Sequence, residues 1–129
     1  MGKSVNRTCR ILKLLAENGE GLKHLQIARA VHVPSSSLSG ILPDLIQEQF
    51  LSFDPSTSRY ALGPEILTLA GNFLKGLDIV SISRPFVRDL VRDTGESVSI
   101  AILSRRQIVI VHAEESNHML NATLQIGTR

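Results

Sequence analysis

The sequence has no tryptophan, one tyrosine and four phenylalanines, so aromatic residues make up only 4% of it. Proteins that grip single strands or RNA stack bases on aromatic rings, and this supply is too thin for that class of partner. Cys9 is the only cysteine. An internal disulfide is therefore excluded, which fits a reducing cytosol. Cys9 lies within an apolar helical pattern, which predicts a buried, inert thiol. No apolar run reaches spanning length, because Lys13 interrupts the stretch around Ile11 and Leu12. Asn6 stands where a myristoylation signal needs Ser or Thr. The expectation is a cytoplasmic chain with no membrane contact.

Catalytic signals are missing as well. His24, His32, His112 and His118 show no metal-ligand spacing with Cys9 or the acids. Glu114 and Glu115 lie beside His112 but fall on opposite faces of a strand, so they do not converge. There is no glycine-rich phosphate loop and no nucleophile motif. No catalytic residue, metal ligand or cofactor is assigned, and the chain is not expected to be an enzyme.

The net charge is only +2, but it is unevenly spread. Residues 1–43 carry six Lys or Arg (Lys3, Arg7, Arg10, Lys13, Lys23, Arg29) against Glu17 and Glu20. Residues 44–129 carry eight basic and ten acidic side chains. The positive charge thus sits in the first third of the chain, as attraction to phosphates requires. An ordinary solvated face has the same composition.

Apolar residues form 43% of the 129 residues and charged residues 20%, a globular composition long enough for one ordinary domain or two very small ones. Ser4 is a candidate N-cap. Val5, Cys9, Leu12, Leu15 and Ala16 recur at helical spacing and predict a first helix ending near Asn18-Gly19. Leu22, Leu25, Ile27, Ala28 and Val31 predict a second helix starting near Leu22-Lys23. His32-Val33-Pro34 breaks it, since proline lacks an N–H and disfavours helix in the residue before it. Ser35-Ser36-Ser37 offers hydroxyls to cap a third helix, lined by Leu38, Ile41, Leu42, Leu45 and Ile46 and running to about Gln49. Pro43 falls inside it and predicts a bend or a restart. Phe50 to Phe53 and Tyr60 to Leu62 read as a two-stranded ribbon around the turn Asp54-Pro55-Ser56-Thr57-Ser58. Helix, turn, helix, then hairpin is the order of a winged helix-turn-helix, so DNA binding leads over a small ligand-free α+β core.

After Gly63-Pro64 a wide apolar stripe follows through Ile66, Leu67, Leu69, Ala70, Phe73, Leu74 and Leu77. Dimerisation on Ile66, Leu69, Ala70, Phe73 and Leu77 is the favoured reading; packing on its own domain is the other. Asp78 is a candidate N-cap for a helix whose buried face holds Ile79, Ile82, Phe86, Val87, Leu90 and Val91. Pro85 kinks or divides it, and Thr94-Gly95 stops it. Residues 97–103 alternate as a strand, residues 108–112 form a continuous apolar run expected as a central strand, and Met119 to Ile126 suggest a third. One helix and three strands make a poor independent core, so this half looks incomplete.

Order and residues together resemble the IclR family of bacterial transcriptional regulators. The matching text is Ser4-Val5-Asn6-Arg7 with Ile11 to Leu15, Gly21-Leu22, Ile27 to Ala30, and Val33-Pro34. It continues with Asp54-Pro55, Arg59 to Pro64, Arg84-Pro85 and Thr94 to Val98. The resemblance implies a winged helix-turn-helix, a dimerising linker helix and the start of a GAF-like effector domain. It implies dimers or dimers of dimers on inverted-repeat operators in double-stranded DNA.

The sequence departs from the family pattern in five places. Ser35 and Gly40 stand where the family often has a basic residue and an arginine. Lys23 replaces a capping threonine, His32 replaces a turn glycine, and Pro43 is foreign. These changes predict weaker or less specific DNA contact than the family norm, or contact carried mainly by the arginines and lysines of the first two helices and by Arg59. The late elements that line the effector pocket are missing, so no effector-binding residue is carried over and a small-molecule effector is not assigned.

The expected fold class is therefore α+β. A winged helix-turn-helix spans residues 1–63, a linker or dimerisation helix 64–77, and an incomplete GAF-like α/β domain 78–129. The expected DNA contacts are Ser35, Ser36, Ser37 and Ser39 at the recognition helix, with Lys23, Arg7 and the wing's Arg59. The expected function is a short or truncated sequence-specific regulator acting as a repressor. The alternative is an interaction protein that sequesters a full-length relative without operator binding.

Overall fold

The computed structural model describes residues 2–116 and 126–129. Two compact units divide the chain, Met1–Ala70 and Gly71–Arg129. The first contains α1 (Lys3–Ala16), β1 (Leu22–Lys23), α2 (His24–Val31), α3 (Ser35–Gln47), β2 (Leu51–Asp54), β3 (Arg59–Leu62) and the start of α4 (Glu65–Lys75). One core holds it together. Ile11 and Leu15 of α1 meet Ile27, Ala28 and Val31 of α2, Leu38 and Leu42 of α3, Val33 of the turn and Leu51 of β2. Each buried leucine or isoleucine stabilises the fold by about 1.5–3 kcal/mol.

The buried face of α1 overlaps the expected one at Leu15 and Leu12 but departs from it elsewhere. Val5 is 64% exposed, and Cys9 and Ala16 are exposed too. The stripe that enters the core runs through Ile11 and Leu15, and Ile11 lies more than half a turn around the helix from Cys9. Two large aliphatics gain more from burial than valine, cysteine and alanine do, so they set the helix rotation. The Cys9 thiol consequently faces solvent.

Leu22 and Lys23 form a strand rather than the first turn of α2. They pair antiparallel with Tyr60 and Arg59, which makes a three-stranded sheet of order β1-β3-β2 where a two-stranded ribbon was expected. Gly21 permits this. Its φ is 87°, and a Cβ there would lie 2.8 Å from the Tyr60 carbonyl oxygen. Only glycine tolerates both conditions. With β1 formed, α2 starts at His24, and Leu25 is left 58% exposed instead of joining the core.

The caps also differ. Gly2, Pro34 and Leu77 occupy the N-cap positions of α1, α3 and the helix that follows α4, so Ser4, Ser35 and Asp78 lie inside their helices instead of capping them. Pro43 neither ends nor divides α3, which runs unbroken from Ser35 to Gln47. Pro43 is exposed, so the Ser39 carbonyl that loses its helical partner lies on the water side. Leu38 and Leu42, anchored in the core, hold the helix through the defect.

In the second unit α5 (Asp78–Thr94) is followed by β4 (Val98–Ser104) and β5 (Gln107–Glu114), which pair antiparallel. Val80 and Val87 are the buried residues of α5. Ile79, Ile82, Phe86 and Leu90, expected in the same face, are 46%, 64%, 67% and 50% exposed. The helix carries two apolar stripes, and a two-stranded hairpin covers one of them among the described residues. Pro85, like Pro43, is exposed within an unbroken helix, and Gly95 closes it at φ 69°. A register shift between Ile100 and Ala101 lets two neighbours on β5, Ile110 and Val111, both be buried. Ile110 also bonds Gly127 and Thr128 on its other edge. The expected third strand and His118 fall on residues 117–125, outside the described residues, apart from Ile126, which lies in a turn.

Candidate nucleic-acid interface

α2 and α3 are joined by three residues, and His32 makes the corner. It closes α2 in the left-handed region, φ 55° and ψ 48°. A side chain there costs about 1–2 kcal/mol that glycine avoids. At the other end of α2, Lys23 is the N-cap. Its backbone N–H donates to the Gln26 amide oxygen at 2.8 Å. That is half of a capping box; an ammonium has no acceptor to supply the other half. The Lys23 ammonium is left exposed and free to meet an anion.

Ser36, Ser39, Gly40 and Pro43 lie three and four residues apart on α3 and are all exposed, so they form its outward face. Every side chain on it is small and none is charged. Nothing lies within 4 Å of a Cβ built at Gly40, so a partner surface has room to approach the backbone there. The four expected serines divide by chemistry. Ser35 Oγ lies 2.9 Å from His24 Nε2, a residue the sequence reading had not placed in the site. Ser39 Oγ donates back to the Ser35 carbonyl at 3.0 Å. Ser36 and Ser37 make no side-chain bond within the described residues and keep free hydroxyls. α3 also begins with no side-chain cap and no acidic first turn, so its leading N–H groups and positive dipole end stay open to an anion.

The wing is stiffened by its own turn. Asp54 Oδ1 accepts from the Ser56 backbone N–H at 2.9 Å and from the Ser56 hydroxyl at 2.7 Å. Those bonds to Ser56 hold the Asp54 carboxyl below its ordinary pKa. Arg59 stands at the return of the wing, opposite Asp54 in the β2–β3 ladder, and its guanidinium makes no ion pair with that carboxylate. It begins β3, half-buried, and Nη1 donates to the Gly21 carbonyl at 2.9 Å. It ties β1 to the wing with one of its five donors.

Arg7 lies along the flank of α3. It lines a groove of about 460 Å³ with Ser4, Thr8, Ser37, Gly40, Ile41, Asp44 and Leu45. Of the expected contacts, the structure therefore brings Arg7 and Ser37 together with Gly40. It gives Ser36 a place on the outward face and commits Ser35 and Arg59 to bonds inside the unit. The signal that would have exposed His24 is its position: it opens α2 as Ser35 opens α3.

A model of the IclR helix-turn-helix domain matches residues 4–55, and a model of the bacterial transcriptional regulator IclR C-terminal domain matches residues 71–129. The chain belongs to the IclR family. Among IclR-family relatives, the glycerol operon regulatory protein of Streptomyces coelicolor is 33% identical over 110 residues, 85% of this chain and 43% of that protein. The transcriptional repressor IclR of Escherichia coli is 23% identical over 127 residues, 97% of this chain and 46% of the repressor. The crystal structure of Pseudomonas aeruginosa HmgR superimposes with a TM-score of 0.78 at 26% identity, over 98% of this chain and 54% of HmgR. The chain spans about half the length of the curated relatives it matches. The winged helix-turn-helix with a partial α/β effector domain is the IclR architecture.

In this IclR-family chain no residue of α4 is buried. Leu69 is 48% and Phe73 57% exposed, Ala70 is exposed, and Ile66 and Leu77 are half-buried. Leu67, at 77%, is a further exposed residue of that helix. The second unit holds a cavity of about 370 Å³ lined by Leu74, Lys75, Val80, Arg84, Val111 and His112 among others. No single helix among the described residues is long and apolar enough to cross a membrane.

Proposed function

We propose that this chain is a transcriptional regulator that binds double-stranded DNA through α3, with Lys23, Arg7 and the wing as phosphate contacts, and represses transcription in the bacterial cytoplasm. The observation that carries the reading is the outward face of α3. It is exposed, small and uncapped at its N-terminus, and it stands on a core-anchored helix directly after a three-residue turn. That is the geometry of a helix whose first residues reach base edges in a major groove. Ser36 and Ser37 are the base-edge or phosphate candidates. A hydroxyl discriminates bases less well than a bidentate side chain, which at a good contact is worth about 1–3 kcal/mol. Specificity is therefore modest, with the phosphate backbone supplying most of the affinity. The match of a helix-turn-helix model to residues 4–55 favours this reading over sequestration of a relative without operator binding.

The domain reading keeps residues 1–63 for DNA and 64–77 for pairing. Ile66, Leu69, Ala70, Phe73 and Leu77 meet their copies in a second chain, because the described residues leave that helix uncovered. A two-fold dimer reads an inverted repeat. Selection of duplexes from a random pool by the purified protein tests both points. Enriched sequences with two related half-sites in inverted order support the proposal. An unenriched pool, or a single half-site without symmetry, overturns it.

A further inference from the structure

Lys3, Asn6, Arg7, Cys9, Arg10, Lys13 and His32 line one trough of about 600 Å³ on the outer side of α1. Four of these side chains are permanent cations, and no acidic residue lines the trough. None of the four makes an ion pair or side-chain hydrogen bond with the described residues, so their charge is not spent internally. Lys3, Arg10 and Lys13 are exposed, and Arg7 is half-buried at the edge. Arg7 also lines the groove beside Ser37 and Gly40 of α3. His32 belongs to the corner that leads into α3. The trough therefore meets the groove beside α3 at Arg7 and the turn before α3 at His32, within the same compact unit.

We propose that the outer face of α1 is a second DNA-backbone contact, on which Lys3, Arg7, Arg10 and Lys13 track consecutive phosphates of one strand. The inference rests on the DNA-binding reading and deepens it by extending the single Arg7 contact to Lys3, Arg10 and Lys13 along α1. From Lys3 to Lys13 the helix rises about 15 Å. A DNA strand presents one phosphate for about every 3.4 Å of axis, so the row has at least as many phosphates opposite it as cations. The cations recur at positions 3, 7, 10 and 13, a helical period, and so face one surface together. The spacing carries no base information, because lysine and arginine on phosphates position a protein without reading sequence. It fits a chain whose recognition helix carries no basic residue: the affinity missing from α3 is supplied by α1.

The test uses the full chain carrying Lys3→Gln, Arg10→Gln and Lys13→Gln together, all exposed positions outside the core. Binding to one duplex is measured over a salt series, with Ser36→Ala as a parallel variant and thermal unfolding as a check on the fold. Each phosphate contact contributes about 0.9 to the slope of log affinity against log salt. The triple variant is expected to lower the slope by about 2–3, to weaken binding to specific and random duplexes equally, and to leave unfolding unchanged. Ser36→Ala leaves the slope intact. A triple variant with the wild-type slope and affinity overturns the α1 contact while leaving DNA binding by α3 standing. Failure of the wild-type protein to bind any duplex overturns the underlying reading instead. If the triple variant unfolds early, the single Arg10→Gln, with an expected slope loss of about 0.9, decides the question.

Discussion

The His24 imidazole Nε2 stands 2.9 Å from the Ser35 hydroxyl, eleven residues along the chain, and so couples the first residue of α2 to the first residue of α3. The pair bridges the two helix starts that a helix-turn-helix presents to DNA, and fixes their separation. A partly exposed bond of this kind contributes about 0.5–1.5 kcal/mol. His24→Ala and Ser35→Ala are therefore expected to be non-additive in unfolding free energy, with a coupling of that size. Additive losses in the double-mutant cycle would show that the contact holds nothing. On DNA, Ser35→Ala is expected to matter less than Ser36→Ala, whose hydroxyl has no internal partner.

Pro43→Ala is expected to stabilise the protein by about 1–3 kcal/mol. It restores the bond to the Ser39 carbonyl inside a helix that already runs unbroken through the site. His32→Gly is expected to add about 1 kcal/mol by removing a side chain from the left-handed corner. Denaturant midpoints read both directly. Destabilisation by Pro43→Ala would mean that the proline fixes a needed bend.

Arg59 has two roles that one pair of substitutions separates. Arg59→Ala removes the 2.9 Å bond to the Gly21 carbonyl and a cation beside the wing. It is expected to cost about 1–2 kcal/mol of stability and to weaken binding to all duplexes alike. Arg59→Lys keeps the charge but not the guanidinium fork, so it recovers affinity more than stability. Equal recovery of both would reduce the residue to a single charge effect.

Asp54 gives the wing a pH limit. Its carboxyl is held below the ordinary 3.8 because the ionised form accepts the two bonds from Ser56. A depressed folded-state value stabilises the fold at pH above the unfolded value, and the gain is lost as pH falls through the folded value. The Ser56 amide resonance is expected to titrate at a pH below that of a free aspartate, and Asp54→Asn to flatten the titration. A midpoint at or above 3.8 would contradict the bonded turn.

Element order was legible from the sequence because punctuation was strong. Val33-Pro34 separated α2 from α3, the residues from Asp54 to Ser58 turned the wing, and Gly95 closed α5. Which face each helix buries was less legible. α1 kept Leu12 and Leu15 of its expected stripe, and only tertiary packing chose Ile11 over Val5 and Cys9. α5 offered two stripes, of which the hairpin took Val80 and Val87. β1 was invisible because two residues carry no period; the clue was Gly21, whose missing side chain admits Tyr60. Of the two outcomes Pro43 offered, the restart does not occur, because Leu38 and Leu42 hold α3 as one helix from the core. Among the expected contact residues, Ser36 lies on the outward face of α3 and Arg7 lines the groove beside it. Ser35 and Arg59 proved to be tied to His24 and Gly21, partners too distant in sequence for any local pattern to reveal.

Binding of the purified chain to its own upstream region and to random duplex, compared across a salt series, tests the central claim most directly. A steep salt dependence is expected on both duplexes, with a preference for the upstream region that survives competitor DNA. Equal binding to the two at every salt concentration, lost together as salt rises modestly, would contradict sequence-specific regulation and leave electrostatic attraction alone.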